Sequence, residues 1–314
     1  MASATRSTWI VSGLLLALSA GCASAGGNDV GPGETRYEMK FGGRDRSYVV
    51  HVPSSGARAN SALVISLHGG GGNAHTNAQQ THFNDESDRE GFIVVHANGT
   101  GESRPFLNAM GKGFLFTWNA GTCCGYARDQ GVDDVGFIRA MVAAIRSKYS
   151  IDPKRIYATG ISNGGMLSYR LACEASDLIA AIGVVSGAQA VANCQPSQGV
   201  SVMHIHGTAD QNVLLAGGIG PKGYDKVPKP PVMDAINFWV KFDGAAAQPK
   251  TTISGNLRTD YYHGTRGDVE FILITGGGHS WPGGEQMLAA LDPPSKDMAA
   301  TPTIWKFFVA HPKP

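Results

Sequence analysis

Charge is scarce in this chain. Only 16% of its 314 residues are Asp, Glu, Lys or Arg, the net charge is +1, and no basic block occurs, which argues against a nucleic-acid partner. The apolar run near the N-terminus, Trp9 to Leu18, is too short to cross a bilayer. Cysteine is limited to five residues, and the adjacent pair Cys123-Cys124 lacks the C-x-x-C spacing of a zinc site, so no metal is expected. No internal repeat or low-complexity tract is visible, which sets aside solenoids and arrays. Glycine, by contrast, is abundant at 42 residues.

The first 25 residues have the form of an export signal. Arg6 supplies positive charge, Trp9 to Leu18 the short apolar core, and Cys22 to Ala25 the small residues before cleavage. Two processing routes fit. Ala23-Ser24-Ala25 suits ordinary removal, whereas Leu18-Ser19-Ala20-Gly21-Cys22 resembles a lipoprotein box in which Cys22 would carry a lipid anchor, with Ser19 where Leu is usual. Either route takes the protein out of the cytoplasm, to a secreted, periplasmic or envelope-anchored location. Residues 26–36 read as a flexible tether and 37–314 as one α/β catalytic domain, since about 290 mature residues are ample for one such domain and short for two. Four cysteines then remain, an even number in an oxidising compartment. The favoured pairing is Cys173 with Cys194, leaving a vicinal Cys123-Cys124 bridge; the alternative joins each of that pair elsewhere.

Strand and helix patterns alternate along the mature chain. Tyr37 to Lys40 and Ser47 to Val52 suit two antiparallel strands around a glycine turn, and Ala62 to Leu67 and Phe92 to Ala97 are buried strands. Thr81 to Glu90 reads as a helix, and Val135, Ile138, Met141, Val142, Ile145 and Tyr149 fall at helical spacing behind Asp133 and Asp134, acids that suit a helix start. Asn98 to Gly131 is a long irregular segment. Further strands are expected at 156–159, 179–185, 200–205, 251–259 and 269–274, helices at 232–242 and 301–310, and a surface excursion at 218–231. The pattern implies a mainly parallel sheet with an antiparallel start and helices on both faces.

The stretch with chemical content is Arg155 to Met166, RIYATGISNGGM. A β-branched and aromatic run meets Gly160-Ile161-Ser162-Asn163-Gly164 and continues as a helix, so Ser162 sits at the apex of a strand-turn-helix elbow. In a chain this rich in glycine the pentapeptide alone arises by chance on the order of a few tenths of a time. Context decides. A serine needs a base, and in the order Ser, acid, His the base must follow both. His263, His279 and His311 qualify. His279 follows Gly276-Gly277-Gly278 and the strand Phe271 to Ile274, on the strand edge where catalytic groups of such sheets gather. Of nine acids between Ser162 and His279, Asp210 alone directly follows a strong strand, in HIHGTAD. It would hold the other ring N–H of His279. Oxyanion donors would be the backbone N–H groups of Asn163 and of Gly70 or its neighbour in His68 to Gly72. His204 and His206 share a strand face; packing plus a hydrogen bond accounts for them better than a metal, since no third ligand is evident.

LHGGGGN at 67–73, TWNAGTCCGYARDQGVDDVGFI at 117–138, GISNGGM at 160–166, HGTAD at 206–210 and GGGHSWPGG at 276–284 together resemble the polyhydroxybutyrate depolymerase and feruloyl/acetylxylan esterase group of exported α/β-hydrolases. The resemblance covers nearly all the mature chain. It implies an α/β-hydrolase fold and a serine carboxylic-ester hydrolase with Ser162 as nucleophile, Asp210 as acid and His279 as base, with no cofactor and an ester as its only partner. It also points to Trp118 and Trp281 as substrate-pocket residues, although such aromatics are at least as often plain core. After Asp210 the run Gln211 to Gly218 departs from the Pro-Tyr usual there, which shifts the expected pocket towards apolar. No linker and added binding domain follow, which favours soluble hydroxycinnamoyl or acetyl esters or short hydroxyalkanoate oligomers over solid polyester. Two other outcomes stay open: a non-catalytic binding protein on the same scaffold, and acyl transfer to an alcohol.

Overall fold

The structure is a computed structural model and describes residues 1, 33–102, 115–223, 225–287 and 291–314. The expected signal, its Cys22 and most of the tether lie outside the described residues. Two strands, β1 (Glu34–Phe41) and β2 (Arg44–His51), open the chain as a hairpin. Gly42 and Gly43 form its two-residue loop at φ 56° and 73°, a left-handed pair that non-glycine residues rarely adopt. The chain continues through β3 (Ser61–Leu67), α1 (Ala74–Thr81), α2 (Phe83–Glu90), β4 (Ile93–Ala97), the short α3 (Gly125–Asp129), α4 (Asp134–Arg146), β5 (Ile151–Ile161) and α5 (Asn163–Glu174). It closes with β6 (Ala181–Val185), β7 (Ser201–Gly207), α6 (Val232–Phe242), β8 (Lys250–Ser254), β9 (Leu257–Tyr262), β10 (Val269–Ile274) and α7 (Ala300–Ala310).

All ten strands among the described residues join one sheet in the order β1-β2-β4-β3-β5-β6-β7-β10-β9-β8. The inner run from β4 to β10 is parallel, while β1, β2, β8 and β9 are antiparallel. From β3 the chain crosses to β4 on one side and then returns to β5 on the other. The order therefore reverses between β3 and β5, and a crevice opens beyond their C-terminal ends. That is where His68 to Asn73 and Ser162 stand.

Strand periodicity builds two cores from one sheet. Along β3, Leu63, Ile65 and Leu67 enter a core with Phe137, Ile138 and Met141 of α4 and Ile236 and Trp239 of α6, whereas Ala62 and Val64 enter the opposite one. The second core holds Phe83 of α2 and Ile304, Trp305 and Phe308 of α7; Tyr157 of β5 stacks on Phe308 at 4.6 Å and 5°. Each enclosed ring or branched chain contributes about 1.5–3 kcal/mol.

Three expected elements differ. The helix read as Thr81 to Glu90 is α2, starting at Phe83; a separate α1, capped by Asn73 accepting from Thr76 N, precedes it, and His82 at φ 55° breaks the run between them. The strand read as 251–259 is a hairpin, β8 and β9, turning at Gly255 with φ 57°. β5 starts five residues earlier than expected, since Ser61 pairs with Ile151 across a bulge. Cys173 and Cys194 are bonded, with Cα atoms 4.9 Å apart, and Cys123 and Cys124 form a vicinal pair joined by a cis peptide bond. No helix among the described residues is long and apolar enough to cross a membrane.

Candidate active site

Ser162 links β5 to α5 at φ 54° and ψ −121°, a conformation costing about 1–3 kcal/mol for a residue with a side chain. The neighbouring backbone leaves no alternative room. A Cβ on Gly160 would come within 2.6 Å of Leu67 O and of the Gly164 backbone, and one on Gly164 would strike Leu67 O and His68 O. The glycines thus let β3, β5 and α5 meet. Half-buried Ser162 opens on a cleft of about 840 Å³, which His279 and the Gly69 to Gly72 loop also line. Its hydroxyl has no hydrogen-bond partner among the described residues.

Asp210, just beyond β7, is enclosed. Its Oδ1 accepts Asn212 N at 2.8 Å and Val213 N at 2.9 Å, and its Oδ2 meets His279 Nδ1 at 2.7 Å. Burial pushes the carboxyl up, yet the hydrogen bond and charge of His279, the nearby His206 and the Val213 N–H outweigh it and hold Asp210 below the usual carboxylate range. An ionised Asp210 makes His279 Nδ1 the donor and leaves Nε2 for chemistry. Asp292 carries the backbone of His279, its Oδ2 accepting His279 N at 2.8 Å while Oδ1 pairs with Lys222 at 3.1 Å. The other two candidate histidines lie elsewhere. Exposed His263 and half-buried His311 both contact Asp268, at 3.0 Å and 2.9 Å, at the far end of β10 from His279.

Behind Asp210 runs a buried chain of polar contacts. Tyr169 OH meets His204 Nδ1 at 2.7 Å, His204 Nε2 meets His206 Nδ1 at 3.0 Å, and His206 Nε2 reaches Val213 O at 2.9 Å and Asp210 Oδ2 at 3.5 Å. Val213 O can only accept, so His206 Nε2 donates, His206 Nδ1 accepts from His204 Nε2–H, and His204 Nδ1 accepts from the tyrosine. One tautomer set satisfies every contact. Burial pushes both histidines below their ordinary pKa and keeps them neutral, as hydrogen-bonding core residues should be.

A second buried histidine holds the glycine loop. His68 Nε2 accepts Gly99 N at 3.0 Å, so Nδ1 carries the proton and donates to Gly69 O at 2.7 Å. Gly72 N donates to the same carbonyl, and Gly71 N is taken by Phe116 O at 2.8 Å. That leaves Gly70 N, on the peptide whose carbonyl is doubly held, without a partner among the described residues. Burial lowers His68 to about 4, so the ring stays neutral. Asn163 N, next to Ser162, likewise has no acceptor. The Asn163 side chain clamps Trp118 at both backbone atoms, Oδ1 accepting Trp118 N at 2.7 Å and Nδ2 donating to Trp118 O at 3.0 Å.

Neither tryptophan expected in the pocket reaches it. Trp118 is fully enclosed, donates Nε1–H to His68 O at 3.0 Å and packs on the His68 ring. Trp281, 1% exposed, donates to Thr301 Oγ1 at 3.0 Å and meets Phe83 edge-on in the second core. The reason is the indole itself, whose large apolar surface is best buried once its single N–H finds an acceptor. The apolar lining comes instead from Leu115, Phe116, Met166, Val213, Ile219 and Met287. His204 and His206 are packed and hydrogen-bonded as read from the sequence, but their link to Asp210, His68 as a support and Asp292 were missed. The histidines were signalled by lying within motifs; Asp292 carried no signal. Among the described residues, the one group of His, Cys, Asp or Glu close enough to share an ion is Cys123, Cys124 and Asp225, and there the sulfurs are bonded to each other.

A family model described as esterase PHB depolymerase matches residues 46–258. Feruloyl esterase B of Piromyces equi is 31% identical over 249 residues, 75% of this chain and 42% of that protein. The putative esterase NocK of Nocardia uniformis subsp. tsuyamanensis is 30% identical over 273 residues, 80% of this chain and 74% of its own length. The chain thus spans under half of one of these relatives and about three quarters of the other. Among solved structures, an acetyl xylan esterase from Aspergillus awamori superposes with a TM-score of 0.58 at 19% identity, over 78% of this chain and 94% of that one, a likeness of fold.

Proposed function

The chain belongs to the PHB depolymerase esterase family and is a serine esterase, and from that premise we propose that Ser162, His279 and Asp210 are its catalytic triad. Ser162 Oγ attacks the ester carbonyl as His279 Nε2 takes its proton, and Asp210 stabilises the imidazolium that forms. Asn163 N–H and Gly70 N–H receive the developing oxyanion, each worth about a hundred- to thousandfold in rate. His279 then protonates the departing alcohol, and water, activated by the same ring, hydrolyses the acyl-enzyme. The observation that carries this reading is the shared cleft of Ser162 and His279, with Asp210 buried 2.7 Å behind the ring.

The substrates in view are hydroxycinnamoyl or acetyl esters, or short hydroxyalkanoate oligomers; the mostly apolar cleft supports an acyl group of that size. A location outside the cytoplasm is supported by the Cys173–Cys194 bond. Ser162→Ala should abolish turnover of 4-nitrophenyl butanoate while leaving the melting temperature within a few degrees. Undiminished turnover in that variant would remove the triad assignment. Rates on methyl ferulate, acetylated xylan and hydroxybutyrate oligomers then rank the three ester classes.

A further inference from the structure

One wall of the cleft is charged in a way that ester hydrolysis does not require. Lys229 is 8% exposed, and its ammonium contacts Asp225 Oδ1 at 2.8 Å and Val227 O at 2.8 Å. Arg128 approaches the other oxygen of the same carboxylate at 3.4 Å but is held at 2.7 Å by Asp129, so its charge is already paired. Lys229, Asp225 and Val227 all line the cleft that holds Ser162. Among the described lining residues, Arg36, Lys226 and Lys229 stand against Asp225 as the single carboxylate. Lys226 is exposed and donates to Pro221 O, and Arg36 pairs with exposed Glu38.

Two physical points follow. An ammonium has three donors, and Lys229 uses two of them on described residues. A largely desolvated ion pair is a poor source of stability, because the cost of removing both charges from water offsets their attraction. Here the cleft carries a further cation, Lys226, whose ammonium is held by a carbonyl among the described residues, so positive charge exceeds the single lining carboxylate beside an apolar cavity. An oxyanion entering the cleft would meet that charge and the free donor together, the setting in which charge-assisted hydrogen bonds are strong.

We propose that Lys229, with Lys226 adding positive charge to the same cleft, forms a subsite for a carboxylate carried by the ester substrate away from its reacting carbonyl. The proposal rests on the esterase reading above and narrows it: the preferred ester is an anion, with an acidic group on its acyl or its alcohol half. Lys229 binds and orients; it takes no part in bond making. The attraction also concentrates anionic esters in the cleft, and added salt weakens it.

The test compares kcat/KM within two matched pairs. For the acyl half these are 4-nitrophenyl hydrogen adipate and its methyl ester; for the alcohol half, 4-carboxyphenyl butanoate and its methyl ester. The wild-type protein should favour the carboxylate in one pair by about tenfold or more, the return on one charge-assisted contact. The preference should shrink as salt rises from about 0.05 to about 0.5 M, persist in Lys229→Arg and fall to near one in Lys229→Met. Asp225→Asn, which leaves the cation less compensated, should raise it. Ratios near one in both wild-type pairs overturn the subsite, as does a ratio unchanged in Lys229→Met or, should that variant not fold, in Asp225→Asn. Turnover of the neutral esters by wild type, lost in Ser162→Ala, keeps the triad reading intact in either event.

Discussion

At the scale of single residues, the site depends on side chains that touch no substrate. His206 shows how. Its ring is neutral, its Nε2–H faces Val213 O and Asp210 Oδ2, and Val213 O fixes its tautomer, which His204 and Tyr169 then follow. His206→Phe keeps the bulk and removes the donor, so kcat for 4-nitrophenyl butanoate should fall by about tenfold, as expected when a buried acceptor, Val213 O, is left unsatisfied and the 3.5 Å contact with Asp210 is lost, with KM nearly unchanged. His206→Gln, whose amide can still donate, should lose less; equal losses in the two variants would argue for packing alone. His68 is the counterpart on the oxyanion side. His68→Ala removes one of the two donors that hold Gly69 O and loosens the orientation of Gly70 N–H, and a fall in kcat of at least about tenfold is expected, bounded by the value of one oxyanion donor. HIHGTAD and LHGGGG displayed both histidines in the sequence, yet nothing in either motif revealed which ring nitrogen carries the proton. That follows from contacts with Gly99, Val213 and Tyr169, residues remote in the chain or on other elements.

At the scale of elements, the elbow is a junction of three backbones. The β5 run and the helix after Ser162 could be read from residue type, because a β-branched stretch, a glycine-flanked serine and an apolar helical repeat have few other solutions. What could not be read is that Gly164 faces Leu67 O of β3 rather than solvent. Gly164→Ala should therefore lower stability by more than the ordinary helix propensity gain of about 1 kcal/mol can offset, seen as a drop in the urea midpoint. The hairpin at 250–262 was misread as one strand because Gly255-Asn256 is a two-residue turn inside a continuous polar run. The Cys173–Cys194 bond closes a segment with a sequence separation of 21, so its reduction should cost about 3 kcal/mol. Urea unfolding with and without reductant measures it.

At the scale of the whole molecule, one buried acid sets a pH dependence opposite to that of Asp210. Asp243 is fully enclosed, neither carboxyl oxygen has a partner in good hydrogen-bond geometry among the described residues, and burial, only partly offset by the nearby Val200 N–H and the Arg266 charge, pushes it up to about 7. Folded chains keep its proton to about pH 7, whereas unfolded chains release it near pH 4. The folded state binds more protons in that window, so Asp243's contribution to stability declines as pH rises from about 4 through 7, by at most about 1.4 kcal/mol per unit. Asp243→Asn should flatten the fall of melting temperature across that window. By itself the sequence determined the alternation of strands and helices, the glycine elbow and the chain order of serine, acid and histidine, because each depends on residue type and local spacing. Only the tertiary structure decided which of three histidines meets which acid, that both tryptophans turn inward, and that Lys229 faces the cleft. Those outcomes depend on strand order, on where the crossover reverses and on the removal of water, none of which is a property of neighbouring residues in the chain.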